Sequence, residues 1–146
     1  MEGIGKTKRA AGIIVLCVIM LVLSMFFGCS KADNIVLKEN DKFIVLSPTD
    51  DFAGKSLEEF MADCKEKGKL DYRTGNGMIT SVNGIDNSAS EGLYWMLYTD
   101  DETRSNPAYG TADYQDKTYA MASYGAESLI IEKGCIYIWA YIKPQW

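Results

Sequence analysis

Nine Tyr, five Phe and three Trp, with no His, define the chemistry open to this chain. The rings gather in two runs, Leu93 to Tyr98 and Cys135 to Ile142, with Tyr109, Tyr114 and Tyr119 between them. Tyr and Trp present flat, amphipathic faces suited to ring-shaped or sugar-like ligands and to protein partners. Without histidine there is no His-based triad, general base or metal site. Ser, Thr and Cys are present, but none has a base assigned to it by sequence, and no lysine sits in a clear apolar setting. The chain is therefore expected not to be an enzyme and to need no cofactor. Asp100, Asp101, Glu102, Asp113 and Asp116 supply oxygens that suit a hard cation. Their spacing fits no EF-hand loop, so they read as a solvated loop rather than a metal site. The candidate ligand-facing residues are Tyr94, Trp95, Tyr98, Tyr109, Tyr114, Tyr137, Trp139 and Tyr141.

Strands must position most of these rings. In a strand successive side chains alternate between faces. In the last run Ile136, Ile138, Ala140 and Ile142 share one face, and Cys135, Tyr137, Trp139 and Tyr141 share the other. In the earlier run Leu93, Trp95 and Leu97 oppose Tyr94, Met96 and Tyr98. If the two strands are neighbours, one face carrying Tyr94, Met96, Tyr98, Tyr137, Trp139 and Tyr141 is expected. One helix is expected over residues 56–67. Ser56 and Glu59 form a capping box, Leu57, Phe60, Met61 and Cys64 make one apolar stripe, and Gly68 stops it. The stripe suits the isoleucine face, which would leave the ring face open or covered by the stretch from Thr99 to Thr118. That stretch, with Asn106-Pro107 and Gly110, reads as a long irregular loop, and loops of that size are commonly functional. Further strands are expected at 35–37, 43–47, 70–73, 78–82, 119–123 and 128–131, with turns at Thr74–Gly77 and Asn83-Gly84.

The first 29 residues read as a targeting segment. Lys6, Lys8 and Arg9 precede an uncharged run from Ala10 to Phe27. That run is long enough, at the lower limit of about 17–25 residues, to be retained as an anchor helix. Phe26-Phe27-Gly28-Cys29 also resembles a lipobox, which implies cleavage and lipidation of Cys29. Either outcome places the rest of the chain at the membrane, on the extracellular face. Losing residues 1–29 removes three basic groups and Glu2, leaving 12 basic against 19 acidic side chains. An acidic domain without a basic run is a poor nucleic-acid binder. Residues 30–55 then read as tether and first strands, and 56–146 as the binding domain.

Cys64 and Cys135 are the two cysteines left for a disulfide outside the cell. With the helix on the isoleucine face, Cys135 would point to the far side of the sheet. A bridge then needs a bulge at Gly134-Cys135 or the helix on the ring face. Otherwise the two remain thiols.

Four segments, in order, resemble the transcobalamin-like C-terminal family (the domain of unknown function DUF4430). They are Ser56-Leu57-Glu58-Glu59-Phe60, Ile79-Thr80-Ser81-Val82-Asn83-Gly84-Ile85, Tyr94-Trp95-Met96-Leu97-Tyr98, and the closing Glu132-Lys133-Gly134-Cys135-Ile136-Tyr137-Ile138-Trp139-Ala140-Tyr141. Gly134-Cys135 stands where that family has Gly-Asp. The resemblance implies an α+β, β-grasp-like domain: a small mixed or antiparallel sheet with one covering helix. It also implies binding of a small soluble ligand, a corrinoid such as cobalamin among the candidates, with a second envelope protein as a candidate partner. The other reading is a cell-surface protein–protein interaction module with no small ligand.

Overall fold

The computed structural model describes residues 35–145; the expected targeting segment, Cys29 with it, and residues 30–34 lie outside them. Among the described residues, nine strands form two antiparallel sheets, accompanied by one α-helix. The large sheet holds β1 (Ile35–Asn40), β2 (Phe43–Ser47), β6 (Tyr94–Thr99), β7 (Ser105–Tyr114), β8 (Lys117–Ala122) and β9 (Tyr137–Ile142), in the order β1-β2-β9-β6-β8-β7. The small sheet holds β3 (Tyr72–Gly75), β4 (Met78–Val82) and β5 (Ile85–Asp86). The helix, α1, runs from Leu57 to Glu66. This is the expected α+β arrangement of antiparallel strands with one covering helix.

Local chemistry explains the turns. Asn76-Gly77 and Asn83-Gly84 both take positive φ at two-residue hairpin corners, and this backbone tolerates Asn and Gly best. Ser56 caps α1 as expected: its hydroxyl accepts from Glu59 N–H at 3.2 Å, and Glu59 accepts from Ser56 N–H at 2.9 Å. The other orphan donors of the first turn are met from residues 126–129. Leu57 N–H donates to Leu129 O at 2.8 Å, and Glu58 N–H to Ala126 O at 3.0 Å. Residues 128–131 thus serve as a clamp on α1, joined by an isolated bridge between Ser56 and Ile130, rather than as the expected strand.

Three expectations are corrected. First, α1 lies on the ring face. Leu57, Phe60, Met61 and Cys64 pack with Trp95, Leu97, Tyr137, Trp139 and Tyr141 in one core. The isoleucine face forms a second core, where Ile138, Ala140 and Val45 meet Tyr98, Tyr114, Tyr119 and Met121. The curl of the sheet accounts for this. Tyr114 of β7 comes within 6.1 Å (ring centroids) of Phe43 on β2, so this side closes on itself and takes smaller side chains such as Ala140 along its middle.

Second, β6 and β9 are neighbours, but in the register Tyr94↔Ile142, Trp95↔Tyr141 and Leu97↔Trp139. Even-numbered residues therefore pair with even-numbered ones. The single face of Tyr94, Met96, Tyr98, Tyr137, Trp139 and Tyr141 does not exist: Tyr137, Trp139 and Tyr141 join the core under α1, Met96 and Tyr98 the second core, and Tyr94 neither.

Third, Thr99 to Thr118 is mostly a hairpin. β7 and β8 meet at Gln115-Asp116, both at positive φ, and their register shifts between Asn106 and Thr111. That shift breaks the alternation that would have marked the strand.

Candidate functional site

A cleft of about 620 Å³ opens where β8 parts from β6. The two strands pair only at Tyr98↔Met121 and Thr99↔Ala120. Beyond those pairs, Tyr94 to Leu97 forms one wall and Ala122 to Glu127 the other. Trp139 backs the first wall from the adjacent strand. The β3–β4 hairpin contributes Thr74 and Gly77 to Ile79, and Glu58 of α1 and Asn87 complete the lining.

Asn87 explains how the wall on β6 is held without a neighbouring strand. Its Oδ1 accepts from Trp95 N–H at 2.9 Å, and its Nδ2 donates to Ile79 O at 3.0 Å. One side chain therefore links the two sheets and satisfies an edge donor. Trp95 N–H points away from β9, in keeping with Tyr141 N–H donating to Lys42 O on the opposite edge of β9. Backbone alternation turns the N–H and C=O of Leu97 to the same side as those of Trp95, toward the cleft.

The rings have distinct duties. Trp95 Nε1–H donates to Ile85 O at 2.8 Å, and Tyr141 O–H donates to Asp86 O at 2.8 Å. Their ring centroids lie 5.3 Å apart, so the pair pins β5 of the small sheet onto the large one. Tyr137 is fully buried and accepts from Glu132 N–H at 2.9 Å; burial pushes its hydroxyl up to about 12. Trp139 is 4 % exposed, and its indole N–H is buried without a partner.

Of the residues expected from sequence, Tyr94, Trp95 and Trp139 come together at the cleft. Tyr137 and Tyr141 belong to the core under α1. Tyr98 and Tyr114 are buried in the second core. Tyr109 is 56 % exposed on β7 and does not line the cleft. Sequence reasoning missed Glu58, Met78, Asn87, Tyr124 and Glu127. The available signals were slight: an acidic residue in a helix's first turn, and an aromatic beside Gly125 just after a strand.

The acidic run is occupied by the protein itself. Asp100 accepts from Ile136 N–H at 2.7 Å and from Lys117 Nζ at 2.6 Å, holding the entry to β9. Asp101 is buried. It accepts from Thr103 N–H, the Thr103 hydroxyl and Arg104 at 3.0, 2.6 and 2.7 Å. Burial raises its carboxyl, but the bonds from Thr103 and Arg104 outweigh that and hold it below the usual carboxylate range. Asp113 accepts from the Thr118 hydroxyl at 2.6 Å. Among the described residues no group of His, Cys, Asp or Glu is placed to hold a metal ion.

Cys64 and Cys135 are both free, although both lie on the α1 side of the sheet. Burial pushes each thiol up to about 11, and the carboxylates of Asp63 and Asp100 add to the effect at Cys64 and Cys135 respectively.

Residues 54–115 match the model of a family described as a domain of unknown function (DUF4430). The matched stretch contains α1, the small sheet, β6 and β7, and so one wall of the cleft. No curated protein and no solved structure matches the chain.

Proposed function

We propose that this domain is a non-enzymatic binding protein for a small soluble ligand. It is held at the extracellular face of the cell membrane by its first 29 residues, through lipidated Cys29 or a retained helix. The observation that carries the reading is the cleft between β6 and residues 122–127. Its volume of about 620 Å³ falls in the range of about 300–1,000 Å³ usual for small-molecule sites. Trp95, Trp139, Tyr94, Met96 and Tyr124 give it flat apolar walls, while Asn87, Thr74 and two glutamates give it polar ends.

A corrinoid such as cobalamin is the finer form of the proposal. In that form the domain would grip one edge or face of the corrin, and an envelope partner would cover the remainder. Calorimetric titration of the full chain in non-ionic detergent with cyanocobalamin tests that form. Saturable one-to-one heat that is lost in Trp95→Phe/Tyr124→Ala supports it. Absence of heat at high micromolar ligand removes the corrinoid.

A second reading, a surface protein–protein module without a small ligand, draws on Tyr109. This residue stands exposed on edge strand β7, away from the cleft. Co-purification of one envelope protein that is lost in Tyr109→Ser would favour it.

A further inference from the structure

We propose that the cleft selects a planar apolar ligand that carries a positive charge, such as a protonated aromatic amine. This rests on the small-ligand reading and narrows the class. Two carboxylates, Glu58 and Glu127, are the charged groups of the lining, and no Lys or Arg shares it. Glu58 is placed firmly: it sits in the first turn of α1, with its N–H bonded to Ala126 O on the opposite wall. Glu127 is set by the hairpin corner, since its Oε2 lies 3.6 Å from the position a Cβ on Gly77 would take. Nearby cations on the surrounding elements face elsewhere: Arg73 pairs with Asp86, and Lys65 with Asp71. Among the described residues, neither Glu58 nor Glu127 is held in an ion pair.

The walls suit a cation as well as a ring. Trp, Tyr and Met around a carboxylate form the setting in which a delocalised cation is held, by attraction to ring faces together with charge. Met78 and Tyr124 stand at the lips, 64 % and 54 % exposed, and large apolar residues placed so openly beside a cleft mark a surface that another molecule covers. Trp139 supplies an independent sign. Its buried indole N–H is the polar side-chain atom left without a partner among the described residues, in the same wall. An acceptor on the seated ligand, apart from its protonated nitrogen, would satisfy it once the indole turns slightly toward the cleft.

Three near-isosteric probes test charge: 9-aminoacridine, which is cationic at neutral pH; neutral acridine, which keeps a ring acceptor that the cation lacks and is therefore a stringent control; and anionic acridine-9-carboxylate. Each is titrated calorimetrically into the full chain in non-ionic detergent, with empty micelles subtracted. The expected order of affinity is cation, then neutral, then anion, with the cation ahead of acridine by roughly tenfold, as two carboxylates of modest individual effect would give. E58Q/E127Q should bring the cation down to the level of acridine, and raising the salt should do part of the same. Glu102→Gln, outside the cleft, should leave the order unchanged. Equal binding of all three probes overturns the charge preference and leaves the cleft reading standing. A cation preference that survives E58Q/E127Q, or that falls equally in Glu102→Gln, overturns the assignment to these two residues. Failure of all three probes, together with cyanocobalamin, overturns both readings.

Discussion

At the scale of single residues, a few polar side chains determine how the walls and loops hold together. Asn87 is one. Asn87→Ala removes the partner of Trp95 N–H and of Ile79 O, leaving half-buried groups unsatisfied. The expected loss is about 1–3 kcal/mol in urea unfolding, with weaker ligand binding in step. Asp101 is another, and its effect depends on pH. Its folded carboxyl lies below the ordinary value of about 3.9, so its contribution to stability is present above that value. The contribution is lost as pH falls through the folded value, below about pH 4. Asp101→Asn should therefore cost about 2 kcal/mol at pH 7 and progressively less below pH 4, read from urea midpoints across that range. A constant cost at all pH values would show that charge plays no part. Cys64 and Cys135 supply a third check. Cys64, fully buried and pushed up to about 11, should not react with a thiol reagent at neutral pH until urea is added, whereas half-buried Cys135 should react in the folded protein but slowly. A native Cys64–Cys135 disulfide, seen by non-reducing mass spectrometry, would contradict the geometry described.

At the scale of elements, the legible parts are the local ones. The capping box, the apolar stripe and the Gly68 stop lie within a dozen residues and identify α1 without reference to the rest of the chain. Ser56→Ala should cost about 1 kcal/mol, measurable as a shifted urea midpoint, because it removes half of that box. Asn76-Gly77 and Asn83-Gly84 announce their hairpins in the same way. Gln115-Asp116 does not, since Gln rarely takes positive φ and no Gly follows the Asp, and the shifted register after Asn106 hides β7 further. The assignment of faces was equally out of reach. Alternation sorts Ile138 from Trp139, but which set meets α1 depends on the curl of the whole sheet. Pairing parity between β6 and β9 is a long-range property too, and it moved Tyr98 away from Trp139.

At the scale of the molecule, two cores share one sheet, and the cleft exists because β8 leaves β6 after two pairs. No segment of sequence carries that opening by itself. It is assembled from α1, the small sheet, β6, β9 and residues 121–127, so Trp95 and Trp139 could be singled out from the sequence as candidates while Glu58, Asn87 and Tyr124, which line the same cleft, could not. The exposed lips can be tested apart from the fold. Met78→Ala/Tyr124→Ala removes side chains that are mostly in solvent, so stability should hold while ligand affinity falls by roughly fivefold. The most direct measurement is a nitrogen–proton correlation spectrum of the full chain, recorded while 9-aminoacridine, acridine and cyanocobalamin are added in turn. For whichever compound binds, the account predicts shifts at the amides of Trp95, Leu97, Tyr124 and Glu127 and at the indole of Trp139. Shifts gathered instead around Tyr109 on β7, with the cleft signals unmoved, would contradict it.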